Sequence, residues 1–239
     1  MSNNSSNHKR DIESASSLDA RLGLSFSNLH LLTRALTHRS FTNENFSGED
    51  NERLEFLGDA VLDFLVGEWA FHHFPEMPEG QLTKIRSYLV RNERLAEFAR
   101  KLDLGSALRL GRGETSSGGH ARESLLGSAF EAVIGAMYLD SNLDKVKKFV
   151  IPLFESIEQK LLDEVEDPKS ELQETSQAMK FGTPSYRVIN VSGPDHARNY
   201  EVEVLIAGEV KGRGIGTSIS LAERSAARSA LVHFKNLKS

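Results

Sequence analysis

Three carboxylates recur along residues 51–62, Asn-Glu-Arg-Leu-Glu-Phe-Leu-Gly-Asp-Ala-Val-Leu, at spacings that a helix turns into a cluster. At about 100° per residue, with Glu52 at zero, Glu55 falls near 300° and Asp59 near 340°. On the same wheel Leu54, Leu57, Val61 and Leu65 gather between about 140° and 220°. One face is therefore apolar and the opposite face acidic. Like charges held together repel, so such a face calls for a compensating cation. The alternative is a solvated acidic surface, neutralised in part by Arg53 or by another helix.

A second segment bears on the choice. Residues 122–140 are helical in pattern and rich in small residues: Gly127, Ala129, Ala132, Gly135 and Ala136. Small residues let a neighbouring helix come close. Glu131 stands alone on this apolar surface, and burying it is costly unless it is paired or binds a metal. A salt bridge to a lysine or arginine would also satisfy it.

The elements that must position these groups can be read from periodicity. Apolar residues recur every three or four positions in 29–36, 54–74, 82–102, 125–139 and 146–162, which predicts helix after helix from 18 to 165. Turn-rich loops separate them at 43–50, 74–80 and 111–119. Acidic residues at 163–167 end this run, and Asp167 with Pro168 starts a new helix as N-cap and first helical residue. From Pro184 the period becomes two. Tyr200, Val202, Val204 and Ile206 alternate with Glu201, Glu203 and Leu205, the mark of a strand with one buried face. Residues 186–191 and 209–215 look like its neighbours, with Gly208 in the turn before the third strand. A last helix over 218–237 is expected to turn Leu221, Ala227 or Ala230, Leu231 and Phe234 inward. The expected fold class is an all-α N-terminal domain followed by a small α+β domain of order α-β-β-β-α. The boundaries read as a disordered tail at 1–17, a helical domain at 18–163, a linker at 164–167 and the second domain at 168–238.

Composition narrows the class further. With 239 residues, 39% of them hydrophobic and 26% charged, the chain suits a globular protein of one or two domains. It has no cysteine, which excludes disulfides and thiolate metal sites, and it has no apolar run long enough for a bilayer. The opening residues lack a secretory signal's apolar stretch, so a cytoplasmic location and no membrane partner are expected. The net charge of −5 argues at first against a nucleic-acid partner. The acidity is unevenly spread, however. Residues 167–239 carry 10 Lys/Arg against 8 Asp/Glu, and residues 1–166 carry 19 against 26.

The segment 51–62 resembles the signature of the ribonuclease III family. The likeness extends to Ala35-Leu-Thr-His-Arg-Ser40, Phe74-Pro75 with Glu79-Gly80, Leu89-Val-Arg91, Leu95-Ala96 and residues 122–140. It implies that Glu55, Asp59 and Glu131 are metal ligands, that Asp59 and Glu131 are catalytic, and that Glu52 and Glu79 support the site. It also implies a homodimer with Phe56 at the interface, although Phe56 could equally be core. The implied reaction is hydrolysis of duplex RNA by metal-activated water, leaving 5′-phosphates, 3′-hydroxyls and short 3′ overhangs, in the processing of ribosomal precursors and messages. Hard oxygen donors suit Mg²⁺ as the cofactor.

This sequence departs from the family at Ser128, where an Asp is usual. A hydroxyl is a neutral, weaker ligand, so the expectation is an enzyme that cuts but needs about 10–100-fold more Mg²⁺. The departure also leaves open a binding protein of the same fold with an impaired site. A generic acidic helical protein without metal is the third possibility.

The second domain resembles a double-stranded RNA-binding domain in residues 167–174, Pro184-Ser-Tyr186, Gly193-Pro-Asp-His196 and Gly214-Ile-Gly-Thr-Ser218. Such domains read the shape of A-form RNA across its minor grooves. The resemblance implies contacts from Gln173, Glu174 and His196. At the start of the last helix the family's basic cluster is missing, Ser218-Ile-Ser-Leu221 standing in its place. Lys211, Arg213, Arg224 and Arg228 are expected to supply part of the phosphate contact, with weaker binding and a shallower salt dependence.

Overall fold

A computed structural model describes residues 12–46, 48–165, 167–194 and 198–236, and the chain divides into two compact units between Val165 and Glu166.

The first unit is helical. Its helices are α1 (Ala15–Leu22), α2 (Leu29–Ala35), α3 (Arg39–Asn45), α4 (Glu52–His73), α5 (Glu79–Leu89), α6 (Asn92–Lys101), α7 (Arg112–Ser116), α8 (Glu123–Asp140), α9 (Leu143–Glu155) and α10 (Glu158–Val165). The first helix begins inside the stretch read as tail. Ser14 caps it by accepting from the Ser17 amide, and Glu13 is held by Arg21 and by the Ser106 hydroxyl and carbonyl. At the other end, α10 runs through Val165 and takes up part of the expected linker.

The two long periodic stretches are each two helices. Arg91 is extended and begins α6, its guanidinium over the Tyr88 ring at 4.3 Å. Ser156 and Ile157 separate α9 from α10. The apolar spacing runs on through both breaks because the paired helices bury their faces in one core, which holds Ile85, Leu89, Leu95, Phe98, Phe130, Val150 and Phe154. The Gly-rich loop at 111–119 contains α7, and a parallel bridge from Thr37 to Arg109 ties it to the start of α3. Ser40 strengthens that tie by accepting from the Gly111 amide.

At the centre α4 packs on α8. A methyl carbon added at Gly58 would fall inside the Glu131 carbonyl group, 2.6 Å from its carbon, and one at Gly135 would fall 3.1 Å from the Gly58 nitrogen. Only residues without Cβ allow two backbones this close.

The second unit carries α11 (Pro168–Ala178), β1 (Ser185–Ser192), β2 (Asn199–Ile206), β3 (Glu209–Gly216) and α12 (Ile219–Asn236), with the antiparallel order β1-β2-β3. Asp167 caps α11 by accepting from the Ser170 amide. Val202, Val204 and Ile206 point to the helices, as the alternation predicts. On β3 the inward positions are Gly212, Gly214 and Gly216, which meet Ala222, Ala226 and Ala230 of α12. Glycine at every second strand position thus faces alanine at every fourth helix position. The expected inward Leu221 is corrected by one residue: Ala222 is buried, whereas Leu221 is 47% exposed.

Candidate active site and nucleic-acid interface

The acidic face of α4 and Glu131 of α8 meet beside the glycine crossing. Glu55 is half-buried. It accepts a hydrogen bond from the Ser128 hydroxyl, Oγ to Oε1, at 2.8 Å. Glu131 lies one helical turn beyond Ser128 and is also half-buried. Burial, reinforced by the negative charges of Asp59, Glu55 and Asp63, pushes its carboxyl up to about 8. No lysine or arginine among the described residues forms a salt bridge with Glu131, so the salt-bridge reading is not what these residues show.

Asp63 was missed in the sequence. It lies four residues beyond Asp59, at about 20° on the wheel that places Glu52 at zero, so its spacing could have included it in the acidic face.

The other predicted residues of this unit lie on α4 and α5. Asp59 is exposed on α4. Glu52, at the start of α4, pairs with Arg39 at 3.1 Å. Glu79, in the first turn of α5, accepts from the Thr83 hydroxyl at 3.0 Å. Phe56 is 79% exposed and so is not core. Phe64 and Phe71 of the same helix are exposed as well, at 57% and 66%. With about 100° per residue all three rings fall on one side of α4.

Among the described residues no group of three or more His, Asp or Glu side chains is arranged so that it could hold a metal ion. The donor set nevertheless fits a hard divalent cation. It consists of oxygens alone, two helices rigidly spaced by glycine supply it, and burial together with the like charges gathered there raises Glu131.

On the second unit, Gln173 and Glu174 are exposed on the first two turns of α11. Arg224 and Arg228 are partly exposed along α12, whose first turn presents Ile219, Ser220 and Leu221 to solvent. Arg213 lies on the sheet face away from the helices, where it and Arg187 flank the buried Glu203, each at 2.7 Å. The two guanidiniums hold the Glu203 carboxyl below its ordinary range. Lys211 pairs with Glu209 at 2.6 Å. His196 lies outside the described residues. Lys169 joins α11 to α12 through Glu223 at 2.6 Å.

Comparisons with known proteins divide the chain at the same place. Residues 28–157 match the family profile described as Ribonuclease-III-like, and residues 168–233 match the double-stranded RNA binding motif. The chain is similar to Ribonuclease 3 of Roseiflexus sp. (strain RS-1), 46% identical over 225 residues, covering 92% of this chain and 95% of that protein. It is also similar to Ribonuclease 3 of Pseudomonas fluorescens, 47% identical with the same coverage. Among solved structures, a nuclease domain of ribonuclease III from Campylobacter jejuni, whose title describes a region involved in dimer formation, matches with a TM-score of 0.55 and 41% identity. That match covers 58% of this chain and 94% of that one. A second structure of that nuclease domain matches with a TM-score of 0.54 and 38% identity, covering 63% and 95%. No helix among the described residues is long and apolar enough to cross a membrane.

Proposed function

Because the chain belongs to the ribonuclease III family, we propose that it is an endoribonuclease that hydrolyses double-stranded RNA with Mg²⁺ as cofactor and acts as a homodimer. The observation that carries the reading is the reach of Ser128 to Glu55 across the α4–α8 crossing, beside Glu131, whose carboxyl is pushed up to about 8 by burial and by the charges of Asp59 and Glu55. A pure binding module has no use for half-buried acids kept together at a cost in stability.

Glu55, Asp59 and Glu131 would hold the cation, with the Ser128 hydroxyl beside them. When bound, Mg²⁺ supplies Lewis-acid chemistry, activating water and neutralising charge on the attacked phosphate. The chain's own part is to fix the ligands. Closely packed α4 and α8 set the distance between donors, and the buried side of Glu131 keeps bulk water from that flank. Glu52 and Glu79 support the site from its rim. The exposed Phe56, Phe64 and Phe71 offer an apolar stripe for an isologous contact with a second copy.

In the second unit, Gln173 and Glu174 of α11 reach for the minor groove. Arg224 and Arg228 of α12 contribute phosphate contacts, with Lys211, Arg213 and His196 as further contributors. The lack of cysteine suits the reducing cytoplasm as the compartment.

The test is a long labelled RNA duplex incubated with the protein and Mg²⁺, with EDTA, and with Glu131→Gln. Cutting in the first case alone, with 5′-phosphate and 3′-hydroxyl products, supports the enzyme. Retention of the duplex without cutting in any case would refute it and leave a binding protein.

A further inference from the structure

The Ser128 hydroxyl has a defined partner in the fold. It lies on α8 one turn before Glu131, and helix geometry puts residues three apart on one face. From there its Oγ reaches across the crossing to Oε1 of Glu55 at 2.8 Å. The hydroxyl must donate this bond, because an ionised carboxylate can only accept. We propose that Ser128 is a positioning residue, which clamps one oxygen of Glu55 so that the other is presented to the cation. The proposal rests on the reading of this cluster as a cation site.

The physical argument is one of order against charge. A glutamate carries three rotatable bonds, and a ligand free to sample them loses entropy on binding. The Ser128 bond removes part of that freedom before any cation arrives. The backbones that hold both partners cannot drift, because Gly58 and Gly135 let the two helices touch. An Asp in place of Ser128 would add a formal charge to the donor set. It would also set a second carboxylate within hydrogen-bond reach of Glu55 with no proton between them. The chain thus gives up one charge and gains a pre-oriented ligand. Removing a partner that orients a metal ligand typically weakens binding 10–100-fold. Because this hydroxyl is neutral and half-buried, the lower end applies.

The experiment titrates Mn²⁺ into the full RNA-free chain, well below its melting temperature, and reads the free ion by electron paramagnetic resonance. Parent, Ser128→Ala, Ser128→Thr and Glu131→Gln are compared. Ser128→Ala should weaken Mn²⁺ binding about 10-fold, and Ser128→Thr, which keeps the hydroxyl, should bind close to the parent. In EDTA the Ala variant should melt no lower than the parent, since alanine favours helix over serine. A merely structural serine would not weaken the ion while leaving the melt intact. If Ser128→Ala matches the parent while Glu131→Gln loses the ion, the clamp is refuted and the cation site stands. If Ser128→Thr is as weak as Ser128→Ala, the hydroxyl is not the cause and the clamp is refuted again. If Glu131→Gln also binds like the parent, the cation site itself is refuted, and the clamp with it.

Discussion

Gly58→Ala tests the crossing on which the site depends. The added Cβ would lie 2.6 Å from the Glu131 carbonyl carbon and 3.0 Å from the Gly135 nitrogen. Unbonded carbons sit about 3.5–4.0 Å apart at their optimum, so α4 and α8 must separate by roughly 1 Å. The obstacle is backbone and cannot rotate away. Overpacking of this kind costs about 1–3 kcal/mol, and the upper end applies here. Against it stands a gain of about 1 kcal/mol for replacing glycine by alanine in a helix. The expected net loss is about 2 kcal/mol, read as a fall in the urea midpoint of the EDTA-treated protein. The same displacement moves Glu131 away from Glu55 and Asp59, and a misplacement of about 1 Å can cost 10²-fold in rate. Single-turnover cleavage of a labelled RNA duplex at saturating Mg²⁺ should show that loss. Gly113→Ala is the control, because nothing lies within 4 Å of its added carbon. It should leave cleavage unchanged. Were Gly58→Ala as stable as the parent and fully active, the two helices would not touch where described, and the account of how the acids are brought together would fall.

Four further outcomes are expected. Glu131 holds its proton to about 8 in the folded chain, far above the 4.5 of an ordinary glutamate. Between those values the folded state binds more protons than the unfolded state, so in EDTA stability should fall as pH rises through this window, by a few kcal/mol at most once solvent screening is allowed for. Urea midpoints across pH should show that slope and should lose most of it in Glu131→Gln. Ser128→Asp adds a charge to the donor set but loses the hydroxyl's hold on Glu55, so it should lower the Mg²⁺ concentration for half-maximal cleavage by less than the roughly 10–100-fold expected from the charge alone, and identical titration curves would rule this out. Phe56→Asp combined with Phe64→Asp should convert a dimer to monomer in sedimentation equilibrium, since both rings are exposed on α4. Ser220→Lys with Leu221→Lys, both exposed at the start of α12, should steepen the slope of log affinity against log salt by about 1–2 for duplex RNA; an unchanged slope would refute that placement of the phosphate contacts.

Much of this protein was legible in the order of its residues. A period of 3.6 giving way to a period of 2 near Pro184 set the helical unit apart from the α-β-β-β-α unit, because that period reports which side of an element is apolar. The wheel of 52–65 placed Glu55 and Asp59 opposite the leucines by local geometry alone, and it could have added Asp63. Local pattern misled where two elements share a core. Residues 82–102 and 146–162 read as single helices because packing on one interior preserves the apolar rhythm across a bend. Leu221 read as inward because it is large and apolar, yet the glycines of β3 admit only alanine at α12, so the helix turned by one residue.

What no local rule could supply is proximity between distant segments. That Ser128 reaches Glu55, that Gly58 meets Glu131 and that Arg213 pairs with Glu203 are facts of tertiary packing. The sequence states which groups are acidic and which face they share. Only the folded chain, by closing two helices on a pair of glycines, both buries Glu131 and brings like charges from a separate helix close enough to raise it further. Electrostatic energy depends on distance in space, which separation along the chain does not determine.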